Sequence, residues 1–463
     1  MTVFKNVPLA ELKPGMEAET RRVCLADDFY VFANSSGNLN PLHLPREDGD
    51  GDGLPEAVAP SMWIAALISA VLGNQLPGPG TLYKAQTLRF TGRAQAGDEL
   101  VVRVRVVDVA ADRTVKLATR VEHAGDGAPV VEGEAEVIAP DKPQTFHADD
   151  IPGLTVQRHA HFDALLERAE PLDPIPTAVV APEGPNSLGG ALLGHAHTLI
   201  TPILVGDERA IAAAAAELGA DISGLEIVHE PDHARAAHRA VKLVHEGRAR
   251  AVMKGRLHTD ILLGAIVRRE GGLRTGRRLS HVFVMDVPGL PHLLMISDAA
   301  INISPDLDTK LDITQNAIDL AHALGMAEPK VGILSAVETV NPKIPSTLDA
   351  AALSKMAERG QITGALVDGP LAMDNAIDLA AARTKGIHSA VAGRAEILIV
   401  PNLESGNMLA KELTFVAHAE AGGIVLGAQV PIILTSRADD DKARLASCAV
   451  AALYAAHGGG TAV

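Results

Sequence analysis

The sequence predicts an α/β protein: a two-lobed, parallel-sheet α/β/α segment preceded by a smaller α+β segment in which antiparallel sheet wraps one helix. Three observations carry this. Charged and apolar residues alternate with a period of two early in the chain, the pattern of strands packed on one side and wet on the other. From about Asp163 the pattern changes to short apolar runs separated by alanine-rich helical stretches, as in parallel sheets covered on both faces. Finally, 463 residues are too many for one compact core.

The amino terminus, MTVFKNVPLAELKPG, lacks the basic region and apolar run of a signal peptide. No charge falls between Glu56 and Lys84, yet only residues 62–73 are strongly apolar, and Asn74, Gln75, prolines and glycines follow. That is too short and too broken to cross a bilayer, so a buried helix is expected. Val102, Val104 and Val106 then alternate with Arg103 and Arg105; residues 114–121 alternate likewise, as do Glu132, Glu134 and Glu136 with Gly133, Ala135 and Val137. Prolines and unpatterned polar residues from Ala139 to about His161 mark a linker. The expected division is 1–140, a linker at 141–162, and 163–463. Candidate strands in the last part are 178–181, 203–205, 251–254, 282–286, 293–296, 331–335, 397–400 and 432–435. In such folds ligands bind at the carboxyl ends of strands.

Composition narrows the function. A net charge of −16 and only 3% aromatic residues argue against nucleic acid as partner. Cys24 and Cys448 form neither a disulfide framework nor a CxxC site, which fits a reducing cytoplasm. There is no GxxxxGK[ST] loop and no dinucleotide fingerprint, so nucleotide triphosphate chemistry and a dehydrogenase rank low. His159/His161 and His195/His197 have ligand-like spacing but no carboxylate or cysteine partners at matching spacing; surface histidines and no metal are expected. Asp48-Gly-Asp-Gly-Asp-Gly53 imitates the start of a calcium loop, but Ala59 stands where a bidentate glutamate is needed, so an exposed turn is expected.

Three strand-end loops could carry chemistry. They contain Lys254, His258 and Thr259; Ser405, Gly406, Asn407 and Lys411; and Ser436, Arg437 and Asp439. Small, hydroxyl and basic residues at a strand-to-helix turn suit an anion, because free N–H groups and the helix dipole converge there. Arg437 adds a two-pronged grip on phosphate. Ser405 and Ser436 also read as N-caps, and His258 reads equally as a helix cap or a phosphate ligand.

The stretches MKGRLHTD (253–260), NPKIPSTLDAA (341–351), DGPLAMDNAI (368–377), PNLESGNMLAKEL (401–413) and PIILTSRADDD (431–441) stand in one order over about residues 243–455. This run resembles the phosphate acetyl/butyryltransferase family, closer to its butyryltransferase branch. The resemblance implies two α/β lobes with an interlobe cleft, related to the isocitrate dehydrogenase architecture, and a homodimer or higher homo-oligomer. It implies the reversible reaction of acyl-CoA with phosphate to give acyl phosphate and CoA, without metal, covalent intermediate or permanently bound cofactor. By family match Arg437 binds phosphate and Ser436 orients the thioester or thiol. Thr259 and the Ser405-Gly406-Asn407 turn complete the pocket, with Lys254, His258 and Lys411 on its phosphate and CoA side. Neither cysteine lies in a matched loop, so no thiol nucleophile is expected. Acetyltransferases of the family carry an aspartate seven residues after the serine; here that position is Ala443, and the Ser-Arg-Ala-Asp pattern offers Asp439, beside Asp440 and Asp441, for the thiol proton.

FANSSGNLNPLHL (32–44) and LPGPGTLY (76–83) resemble MaoC-like hotdog domains, whose motif reads FAxxSGDxNPxH. In active members the Asp and the His five residues later activate water for addition to a trans-2-enoyl-CoA. Here His43 is kept, but Asn38 takes the acid position and Pro60 stands where a His often precedes the helix. An asparagine orients water but cannot carry the charge that supports a base. The expectation is a hotdog that binds acyl- or enoyl-CoA, the alternative a hydratase of altered activity.

Overall fold

The computed structural model describes residues 3–44, 58–147, 159–434 and 441–458, and divides the chain into two compact units, 1–156 and 157–463.

In the first unit, β2 (Glu17–Val23), β3 (Leu82–Phe90), β4 (Glu99–Val109), β5 (Thr114–His123) and β6 (Pro129–Ile138) form one antiparallel sheet in the order β2-β4-β5-β6-β3. The period-two reading holds in β4: Val102, Val104 and Val106 are buried while Arg103 and Arg105 are exposed. The wet face is laced with ion pairs such as Arg103–Glu19 and Lys116–Glu136, which solvent screens and which add little to stability. The dry face packs on α2 (Ser61–Asn74), which buries Trp63, Ile64, Ala65, Ile68, Val71 and Leu72. This is the helix expected from residues 62–73, and among the described residues no helix is long and apolar enough to cross a membrane.

The helix α1 (Ala26–Ser36) and a short ribbon of β1 (Val3–Lys5) with β7 (Thr145–His147) complete the unit. One strand of the ribbon, β7, falls inside the expected linker, and beside it Gln144 N donates to Asn6 Oδ1 at 2.6 Å and Asn6 N to Gln144 O at 3.2 Å. At the other end of that stretch α3 (Ala160–Ala169) has already begun, its Phe162 N–H held by Asp286 at 2.9 Å.

The second unit holds one sheet of eleven strands. Its first wing runs β10 (Glu226–His229), β9 (Ile200–Gly206), β8 (Ile175–Val180), β11 (Ala251–Lys254) and β18 (Ile432–Ile433), all parallel. Its second wing, also parallel, runs β13 (Leu294–Ser297), β16 (Ile397–Ile399), β14 (Lys330–Leu334) and β15 (Leu366–Leu371). Between them lie β17 (Glu420–Leu426) and β12 (Ser280–Asp286), paired antiparallel to each other and to their outer neighbours β18 and β13. The parallel expectation thus describes the wings, and the centre adds three antiparallel pairings.

Alternate strand residues face opposite sides, so the burial pattern separates the layers. One side carries a single continuous core: α3, α4 (Pro185–Ala196), α5 (Glu208–Leu218), α8 (Leu307–Ala323), α9 (Pro345–Glu358) and α13 (Asp441–Ala456) pack over both wings. The other side carries two separate cores. One joins α6 (His233–His245) and α7 (Thr259–Ile266) to the first wing; the other joins α10 (Met373–Ile377), α11 (Leu379–Thr384) and α12 (Leu403–Phe415) to the second. The central strands form the seam between these two cores.

Candidate active site

Two of the three expected loops are described, and each leaves the carboxyl end of a parallel strand. β11 leads through Gly255 into α7. The turn lies so close to β8 that a Cβ on Gly255 would stand 2.3 Å from Ala181 O; Gly255 N and Arg256 N donate to Val180 O and Ala181 O at 2.8 and 2.6 Å. Lys254 is buried and its Nζ donates to Gly255 O at 3.3 Å. His258 occupies the N-cap position of α7, but its side chain makes no capping bond, and Thr259 opens the helix. The N–H groups of this helix start are therefore not satisfied by the cap side chain, as an anion site requires.

β16 leads into α12. Here the structure corrects the N-cap reading of Ser405: the cap is Asn402, whose Oδ1 accepts from Ser405 N at 3.0 Å and from Ser405 Oγ at 2.9 Å. Gly406 is required by close approach, since a Cβ there would lie 2.7 Å from Val400 Cγ2 and 3.0 Å from Asp298 O. Asn407 Nδ2 donates to Ala299 O at 3.3 Å. Lys411 is exposed on the same helix.

The third loop begins just past Leu434, at the end of β18, where Ile433 is the register partner of Met253 on β11. Ser436, Arg437, Asp439 and Asp440 lie outside the described residues, as does the calcium-like turn from Asp48 to Gly53. After the third loop, α13 opens at exposed Asp441, and half-buried Ala443 accepts from Ser447 Oγ at 2.8 Å.

Sequence reasoning passed over the segment that follows β13. Asp298, 2% exposed, accepts from Ala300 N at 2.9 Å and Ile301 N at 3.1 Å through Oδ1, and from Asn302 N at 3.1 Å through Oδ2. Asn302 Nδ2 reaches both Asp298 Oδ2, at 2.5 Å, and Leu279 O, at 2.8 Å. Leu403 N at the start of α12 donates to Ile303 O at 3.1 Å. The available signal was an aspartate two positions past the apolar run 293–296, followed by two alanines and, four residues on, an asparagine.

Both thiols are poor nucleophiles. Burial, with Asp98 and Asp28 nearby, pushes Cys24 up to about 11, and burial pushes Cys448 up to about 12. Of the paired histidines, His195 is exposed and the other three are half-buried. His159 and His161 are half-buried against Asp286 O and Leu290 O, and carboxylates distant in sequence approach His159 and His197, Glu420 at 3.6 Å and Glu170 at 2.7 Å. Among the described residues no group of three or more such side chains could hold a metal ion.

In the first unit α1 ends at Gly37, whose φ is 73°, and the chain turns into Asn38. Asn38 is exposed and its Oδ1 accepts from Asn40 N at 3.3 Å. Asn40 caps a short 3-10 turn, Pro41–His43, and His43 Nδ1 bonds Val58 O at 3.1 Å. A carbonyl only accepts, so Nδ1 carries a proton, and the neutral ring in this position has its lone pair on Nε2. Pro60 holds the N-cap position of α2.

A two-wing α/β unit with strand-to-helix turns at its parallel strand ends, preceded by a helix packed on antiparallel sheet, defines a two-unit α/β protein with room for anion binding at its helix starts. The comparisons are specific. The family model Phosphate acetyl/butaryl transferase matches residues 232–452, and MaoC like domain matches 9–126. A phosphate acetyltransferase of Rhizobium meliloti is 60% identical over 295 residues, covering 64% of this chain and 93% of that protein. A phosphate butyryltransferase of Clostridium acetobutylicum is 47% identical over 253 residues, 55% of this chain and 84% of that protein. A crystal structure of a branched-chain phosphotransacylase from Enterococcus faecalis is similar at a TM-score of 0.53 and 31% identity, covering 60% of this chain and 98% of that one. The chain belongs to the phosphate acetyl/butyryltransferase family, with a MaoC-like domain before it. Both acetyl and butyryl relatives match, so the names do not favour the butyryl branch.

Proposed function

We propose that the second unit exchanges a short acyl group between CoA and inorganic phosphate, and that functional division falls within residues 141–162. The observation that carries this is the pair of strand-to-helix turns at Lys254–Thr259 and Ser405–Asn407, in a chain of which 295 residues align at 60% identity with a phosphate acetyltransferase. A phosphate oxygen attacks the thioester carbonyl carbon. The carbon–sulfur bond then breaks, and the proton of the phosphate passes to sulfur, giving acyl phosphate and CoA thiol. Such a step is largely positioning and charge. Arg437 holds phosphate, Ser436 orients the thioester, and Asp439 carries the proton. Lys254, His258, Thr259, Ser405, Gly406, Asn407 and Lys411 line the substrates, and a homodimer in the cytoplasm is the working form.

Arg437→Ala removes the two-pronged grip, and kcat/KM for phosphate should fall about 100-fold while Arg437→Lys recovers only part. Phosphate-dependent turnover unchanged in Arg437→Ala would sink the assignment.

The first unit we read as a binder of acyl- or enoyl-CoA. A second reading, hydration of enoyl-CoA, is favoured by one observation, the tautomer of His43 fixed by Val58 O, which leaves Nε2 able to act as a base. Absence of any His43-dependent hydration of crotonyl-CoA removes it.

A further inference from the structure

The two halves of the candidate site belong to different cores. Lys254–Thr259 leads into α7; Leu257 of the turn and Leu262, Ala265 and Ile266 of the helix lie in the core of the first wing, while Ser405–Asn407 lies in the first turns of α12, packed on the second. The segment after β13 touches both. Ala299 belongs to the second core, while Ile301, two residues on, packs against the first. What holds that short bridge is one buried carboxylate, Asp298, taking N–H groups from Ala300, Ile301 and Asn302. The bridge in turn fixes α12, through Leu403 N to Ile303 O, Asn407 Nδ2 to Ala299 O, and Gly406 against Asp298 O. Beneath it at the seam His281 is 1% exposed, stacked edge-on to Phe283 at 4.3 Å and closed in by Gly423. Its Nδ1 has no hydrogen-bond partner.

We propose that Asp298 is a positioning residue for acyl transfer, setting the Ser405–Asn407 turn of one wing at its working distance from the Lys254–Thr259 turn of the other. This rests on the site reading above. Misplacement by an ångström between the parts of a two-substrate site is costly in rate even when each part folds. Asp298→Asn presents an NH2 group to at least one of the donors now held by the carboxylate, and so loosens the bridge without changing its size.

The test is steady-state kinetics of phosphate-dependent thiol release from acetyl- and butyryl-CoA by the full chain, with thermal melting alongside. For Asp298→Asn the expected result is a rise of about tenfold or more in KM for phosphate or acyl-CoA together with a lower kcat. Loss of folded protein lowers kcat but moves neither KM, so the KM change separates positioning from mere stability. Asn302→Ala, which removes only the side-chain bonds to Asp298 and Leu279, should move the same KM by less, and it decides the matter if Asp298→Asn does not fold. Both KM values within twofold of wild type in the folded variant overturn the proposal. Wild-type protein without phosphate-dependent release, or an unimpaired Asn407→Ala, instead overturns the site reading on which it rests.

Discussion

His281 is the residue at which burial and charge are most at odds. Its imidazole is enclosed at the seam, and burial holds its pKa down to about 4 against the opposing pull of Asp298. A histidine whose folded pKa lies below its free value takes up its proton more readily when unfolded. The stability it contributes is therefore complete above the ordinary value of 6.5 and is lost as pH falls toward 4. The denaturation midpoint of the second unit should drop between those values, and His281→Gln should flatten part of that drop. An equal slope in both proteins would show that the imidazole is not the group responsible. Of the site residues, those quoted by motif were legible because hydroxyl, amide and basic side chains stand out at a strand end. The roles within a turn were not: Ser405 looked like a cap, but the cap is Asn402, three residues earlier, because its Oδ1 reaches Ser405 N. Asp298 was silent because a lone acid beside small residues says nothing until its four donors are seen.

Elements were legible where one pattern dominated. The alternating valines and arginines of β4 and the uncharged run of α2 declared themselves, since each has one apolar face or is apolar all round. Three strands of the second unit were missed for separate reasons. β17, Glu420–Leu426, opens with Glu-Ala-Gly-Gly, which carries no strand signature; β15, Leu366–Leu371, contains Gly-Pro; β10, Glu226–His229, is short and only half-buried. The loss of β17 also hid the antiparallel centre, because register and direction come from pairing and not from composition. For α2 the consequence is quantitative. Ile68 is fully buried between the helix and the sheet, so Ile68→Ala should cost about 2–5 kcal/mol. Chemical denaturation of the full chain should show that loss in a transition of the first unit; a change below 1 kcal/mol would contradict the packing described.

For the whole molecule, the family places acyl transfer in the second unit, and the two wings explain why the motifs are spread over so much sequence. MKGRLHTD and PIILTSRADDD follow neighbouring strands of one wing, β11 and β18, while PNLESGNMLAKEL follows β16 of the other. The proposed site draws on both wings and so cannot be compact in sequence. The first unit adds a MaoC-like domain, matched over residues 9–126. The most direct measurement is release of CoA thiol by the purified chain from acetyl-, propionyl-, butyryl- and crotonyl-CoA, with and without phosphate, while the enoyl absorbance is followed. Rapid release from at least one short acyl-CoA only when phosphate is present, with formation of the acyl phosphate, is the predicted result. No phosphate-dependent release from any of the four would contradict it.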